Sequence, residues 1–213
     1  FLFDDPAIRQ GKHRTVLVGA SFMHSVIPYV DNKTLKDELN LQFRERHPDL
    51  PQSMTLSKLR TLKRETLEQW KRFDFEVATL ALAIVYFEKL VLQCFVDKAN
   101  RKLTFAVCLV LAFKFCEGSS TEQKPIAGSI DRLVEAIELA LGVVKKDIIK
   151  NEMAIFSQLG FELHVRKDHF MPHFTRLLKT IELTPASYLG RQTFNFYFPP
   201  IDAAQEDKVD DFR

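Results

Sequence analysis

Phe75-Glu-Val-Ala-Thr-Leu-Ala-Leu-Ala-Ile-Val-Tyr-Phe-Glu-Lys-Leu90 is the stretch around which the rest of the chain arranges itself. It holds no Gly and no Pro, and it is rich in Ala and Leu, the strongest helix formers. From Val77 to Phe87 every residue except Thr79 is apolar. A helix apolar on all faces has no side for solvent, so it belongs in the middle of a helical domain. It falls short of the ~20 apolar residues needed to span a bilayer. Charge returns at Glu88 and Lys89, where the helix is expected to emerge into water.

A buried helix needs a shell of others, and the flanking sequence supplies them. Before it, the spacing of Leu56, Leu59, Leu62, Leu67 and Trp70 predicts a helix over 56–72, capped by Thr55 or Ser57. Lys58, Arg60, Lys63, Arg64, Lys71 and Arg72 make it basic, either as a solvated face or as a docking surface for an acidic partner or phosphate. After it, Phe95 to Asn100 reads as a loop, with Asn100 capping a helix to about Cys116. Phe105 to Phe113 is an unbroken apolar run, so two nearly all-apolar helices should cross in the core. Glu117 to Pro125 is a loop. Ile126, Ile130, Leu133, Val134, Ile137 and Leu141 then give a 3.6-residue period ended by Gly142. A helix over 144–159 follows, with Ile148, Ile149, Ile155, Phe156 and Leu159 inward and Gly160 at its end. Asp168 caps a further helix from Phe170 to about Ile181. Upstream, Val16–Val18 is a short strand candidate. Phe22, Val26 and Val30 have helical spacing up to Pro28, and Leu35, Leu39 and Phe43 form one stripe of a short helix after Asp31.

Composition narrows the function. In 213 residues, 46% are hydrophobic, enough for a real core, and 30 basic residues nearly balance 28 acidic ones. A net charge of +2 gives no strong pull toward nucleic acid or an anionic membrane. Cys94, Cys108 and Cys116 lie in apolar surroundings without a CxxC, which reads as buried free thiols in a reducing compartment. The start at Phe1 reads as a fragment of a longer protein, and Asn32-Lys-Thr34 as a chance sequon. No Gly-rich phosphate loop, GxSxG, HExxH or kinase signature is present, so no catalytic residue, cofactor or metal is assigned. His169 and His173 stand four apart, but without a third ligand they read as paired surface histidines.

Five consecutive helices, the second and third most apolar, have the plan of a cyclin box. Val85-Tyr-Phe-Glu-Lys-Leu90 resembles the cyclin "NYIDRFL" segment, and Asn100-Arg-Lys-Leu103 with Ala112-Phe-Lys-Phe-Cys-Glu117 resembles "NKLQL…AAKFEE". Asn151-Glu152-Met153 with Leu159-Gly-Phe-Glu-Leu163 resembles "MEHLVLKVLTFDL". A closer similarity is to the Cables family (Cdk and Abl enzyme substrate). It is carried by Leu56-Ser-Lys-Leu-Arg-Thr-Leu-Lys-Arg-Glu65, Val85 to Leu90, Asn100 to Leu103 and Met171-Pro-His173, with Gly11-Lys-His13 and Phe43-Arg-Glu45 upstream.

The resemblance implies an all-α fold: a single cyclin box, a five-helix bundle around a buried central helix. It implies an N-terminal extension with short helices over 1–54, the box over 55–165, a trailing helix over 166–183 and a partly disordered tail over 184–213. It implies a non-enzymatic adaptor in cell-cycle regulation, in nucleus and cytoplasm, that binds a cyclin-dependent kinase and a non-receptor tyrosine kinase, with no membrane or nucleic acid. Lys114 and Glu152 match the Lys and Glu that bond kinase backbone in cyclins, and Phe115, Phe156, Phe161 and Leu163 match nearby apolar contacts. From the residues alone, Lys114 reads equally as a side chain snorkelling at a helix C-terminus. Arg64, Leu67 and Trp70 match the cyclin groove that docks RxL peptides, whereas Lys63 and Thr66 depart from it. Another reading is a cyclin-fold module of the transcription-factor kind that binds nucleic acid, through its 58–72 helix, or transcription proteins. The aromatic run Thr193 to Phe198 either packs on the domain or is a separate docking segment.

Overall fold

The structure, a computed structural model, describes residues 15–18, 23–26, 30–117, 126–190 and 193. In order, the described elements are β1 (Thr15–Val18), β2 (Met23–Val26), α1 (Asn32–Arg46), α2 (Leu56–Arg72), α3 (Val77–Leu92), α4 (Arg101–Glu117), α5 (Ile126–Leu141), α6 (Lys145–Gln158), α7 (Lys167–Thr180) and α8 (Pro185–Leu189).

Helix α3 is the axis of the bundle. Every residue from Thr79 to Glu88 is buried. It packs most closely on α4, whose residues Phe105 to Phe113 are all buried, and the Phe87 and Phe105 rings meet 5.0 Å apart at the crossing. Each such fully buried large side chain contributes roughly 1.5–3 kcal/mol. The remaining helices close the shell: α5 packs on α2 and α4, α6 on α4, and α1 on α2. The five-helix box is therefore α2 to α6, as its apolar stripes require. Trp70 seals the turn between α2 and α3, donating from its indole to the Glu76 carbonyl at 2.8 Å and packing on Phe75 at 4.9 Å. Gly142 and Gly160 end α5 and α6 with φ of 68° and 70°, a conformation that strains any residue with a Cβ.

Four expectations give way. Met23–Val26 is a strand paired antiparallel with Thr15–Val18, not the start of a helix. Too few residues lie between Phe22 and Pro28 to nucleate a helix, while a β-branched partner strand satisfies the backbone. Ile149 points outward and is 60% exposed, since it is turned about 100° round α6 from the buried Ile148. Cys94 is exposed, although all three thiols are free, and burial pushes the Cys108 thiol up into an unreactive range. The fourth concerns Glu88, which does not emerge into water.

The chain divides into two compact units, 1–173 and 174–213, with the division inside α7. In the second, Thr184 and Ser187 form a capping box for α8, and Phe174 meets Tyr188 edge-on at 5.7 Å. That helix was not anticipated. The loop residues 118–125 and all of the aromatic run except Thr193 lie outside the described residues. No described helix is long and apolar enough to cross a membrane.

Candidate functional site

The apolar run of α4 stops at Phe113, and Lys114 is the first side chain of its last turn to reach the surface. A cation there suits the negative end of the helix dipole. Because α6 packs on α4, the carboxylate of Glu152 lies within reach, and the Lys114 amine donates to Glu152 Oε1 at 2.5 Å. The two side chains are 43% and 23% exposed. Lys114 and Glu152 thus neutralise one another, yet both remain open to an incoming partner.

Around this pair α6 is two-sided. Ile148 and Ile155 anchor it inward. Ile149 and Met153, one turn apart, are 60% and 66% exposed. Gly160 and Phe161 both take left-handed φ, which swings the chain back so that the Phe161 amide donates to the Phe156 carbonyl at 3.1 Å. Holding a Phe there costs on the order of 1 kcal/mol. The result is an aromatic ring 61% exposed, braced edge-on against Phe156 at 5.1 Å. Leu163 is half-buried, and its carbonyl accepts from the Tyr86 hydroxyl at 2.5 Å, which ties this segment to the central helix. Phe115, also half-buried, meets His164 edge-on at 5.1 Å. Among the described residues, four of the eight exposed large hydrophobic side chains (Val144, Ile149, Met153 and Phe161) fall on α6 or at its ends. Such clustering on a surface marks an interaction site.

The possible docking helix looks different. Arg64 is exposed, 4.0 Å from Glu68, but Leu67 and Trp70 are 6% and 1% exposed and belong to the core. Only the arginine of that trio offers a side chain to a peptide.

A charged cluster appears where apolar packing was expected. Glu88 is 2% exposed. Lys63, expected on a solvated basic face, turns inward and pairs with Glu88 Oε1. His173, expected at the surface, is 4% exposed with Nε2 3.3 Å from Glu88 Oε2. Burial alone would raise the Glu88 pKa, but Lys63 and His173 outweigh it and bring it down to about 2. The signal was in the helical phase. Lys63 lies four residues after Leu59 and seven before Trp70, on the buried stripe, and Glu88 follows Ile84 by one turn. A cavity of about 390 Å³ opens beside this cluster, lined by Val85, Leu159, Glu162 and His169 among others. Among the described residues no group of three or more His, Cys, Asp or Glu is placed to hold a metal.

Comparison with known proteins agrees with this architecture. The family described as "Cyclin, N-terminal domain" matches residues 27–164. The mouse protein "CDK5 and ABL1 enzyme substrate 2" is 39% identical over 176 residues, 83% of this chain and 35% of its own. Mouse and human "CDK5 and ABL1 enzyme substrate 1" are 39% and 38% identical over 181 residues, 84% of this chain and 30% and 27% of theirs. The chain therefore spans about a third of the length of these relatives. No solved structure gives a significant match.

Proposed function

We propose that this chain, which belongs to the Cyclin, N-terminal domain family, is a non-catalytic adaptor that docks on a cyclin-dependent kinase through α6 and the last turn of α4. The observation that carries the reading is the Lys114–Glu152 pair set beside the exposed side chains of Ile149, Met153 and Phe161. No bond is made or broken at such a face, and its work is positional. Ile149, Met153 and Phe161 supply apolar area that gains by leaving water. The charged pair supplies register, with Lys114 donating to a partner carbonyl and Glu152 accepting from a partner N–H. Because each already neutralises the other, the desolvation cost of burying them is partly met before the partner arrives. At the centre of this face the charges of Lys114 and Glu152 cancel and Ile149, Met153 and Phe161 are apolar, with Lys146 and Lys150 exposed beside them.

The relatives carry CDK5 and ABL1 in their names, which supports a cyclin-dependent kinase as one partner and extends the proposal to a non-receptor tyrosine kinase as the second. The adaptor would hold the two enzymes together.

Pull-down of purified CDK5 by the chain tests the docking face. Met153→Asp and Ile149→Asp place charge on exposed positions, so folding should be unaffected while capture falls about tenfold or more. Full capture by both variants would overturn the proposed face.

A further inference from the structure

A second site lies on the first unit, between α1, α2 and α4. Lys36, Ser57, Lys58, Glu65, Arg101 and Lys102 line a cavity of about 170 Å³ there. Four cations from three helices meet one carboxylate. Among the described residues, none of the four cations forms an ion pair with a carboxylate. Two of them are held in place: the Lys58 amine donates to the Ser53 carbonyl at 2.6 Å and the Arg101 guanidinium to the Lys98 carbonyl at 2.5 Å.

The arrangement works against the stability of the free protein. Lys58 sits in the first turn of α2, and Arg101 and Lys102 open α4, where the helix dipole is positive and cations are disfavoured. Burial and the neighbouring charges of Lys98 and Arg101 lower the Lys58 pKa. The Ser57 amide is already bonded to Asn40 Oδ1 at 3.0 Å, so the open donors at the cavity are side chains.

We propose that this pocket binds a phosphate monoester carried on a protein segment. Arg101 offers a planar fork to two phosphate oxygens, while Lys36, Lys58 and Lys102 surround it as point charges. The cavity is small, about 170 Å³, and has room for a single phosphate. A nucleic acid backbone presents a row of them and needs an extended basic stripe. The site shares no residue with the kinase-facing surface, so it stands or falls separately from the docking proposal.

The test is a titration of the isotope-labelled chain, followed by amide chemical shifts, with a phosphoserine peptide and its unphosphorylated twin. The expected result is saturable shifts confined to residues around Lys36, Lys58 and Arg101, seen only with the phosphopeptide. Lys58→Ala with Arg101→Ala should weaken binding about tenfold or more while the rest of the spectrum is unchanged. Lys146→Ala, on exposed α6, should bind as before. Equal shifts from both peptides, or shifts scattered equally over Lys146 and Lys150, would overturn the proposal. So would a single-stranded oligonucleotide that binds the same residues more tightly than the phosphopeptide, with a steep salt dependence.

Discussion

A carboxylate on an all-apolar helix is expensive, and desolvation alone would drive its pKa up. Glu88 instead titrates at about 2 because Lys63 and His173 face it. Taking away one partner leaves a buried charge uncompensated. Lys63→Ala should therefore lower unfolding free energy by about 3 kcal/mol in a urea melt, far more than loss of an exposed lysine. The pH dependence follows from the same depression. The folded pKa lies below the ordinary 4.5, so the carboxylate's stabilisation is fully present above pH 4.5. It fades as pH falls from 4.5 towards 2, a loss on the order of 3 kcal/mol. Thermal melts across that range should show the decline, and Glu88→Gln should flatten it. These residues were misread from sequence because charge usually means surface. Their phase on the helical stripes said otherwise. Lys114 and Glu152 are the converse case: nothing in the periodicity singled them out as a pair, and only resemblance placed them at one site.

Helices were legible because their signals are local. Apolar period and terminal glycines placed α2 to α7 within a few residues of where they lie, whereas Asp168, read as a cap, lies in the first turn of α7, and Thr55 precedes α2 without a side-chain cap bond. What failed was orientation and short elements. Ile149 was counted inward because an apolar residue beside a buried one looks like core. The strand at Met23 was missed because pairing with Thr15–Val18 is a long-range fact, invisible to spacing within one segment. Helix α8 escaped because five residues carry no period, although Thr184 and Ser187 were its cap. At this scale α3 is the element to probe. Amide exchange should be slowest from Ala81 to Val85, which lie at the centre of the bundle. Early exchange there would contradict its central role. Ala83→Asp, at a position with 0% exposure, should unfold the domain, because no group there compensates the carboxylate. Helix α2 allows a contrary expectation. With Leu67 and Trp70 in the core and cations of Lys36, Lys58 and Arg101 gathered beside it, an RxL peptide finds no apolar groove and meets like charge. Calorimetric titration should show no saturation at low micromolar peptide.

As a whole, the first unit devotes its interior to two apolar helices, α3 and α4, and its shell to presentation. The core holds α6 firmly from within by Ile148 and Ile155, and this rigidity makes the outward side chains a defined surface. The central claim is that Lys114 and Glu152 serve a partner more than they serve the fold. Their mutual bridge is partly exposed, and such pairs contribute no more than about 1 kcal/mol. In a kinase complex the same groups would be desolvated, and losing one charge-assisted bond should cost on the order of 2 kcal/mol, mostly as faster dissociation. The direct measurement is the dissociation rate of purified CDK5 from the Lys114→Ala and Glu152→Ala chains, with a thermal melt of each and Lys71→Ala as an exposed control. The account predicts melts within a few degrees of the parent, an unaltered control, and dissociation about thirtyfold faster for both variants. Parental dissociation rates from both folded variants would contradict it.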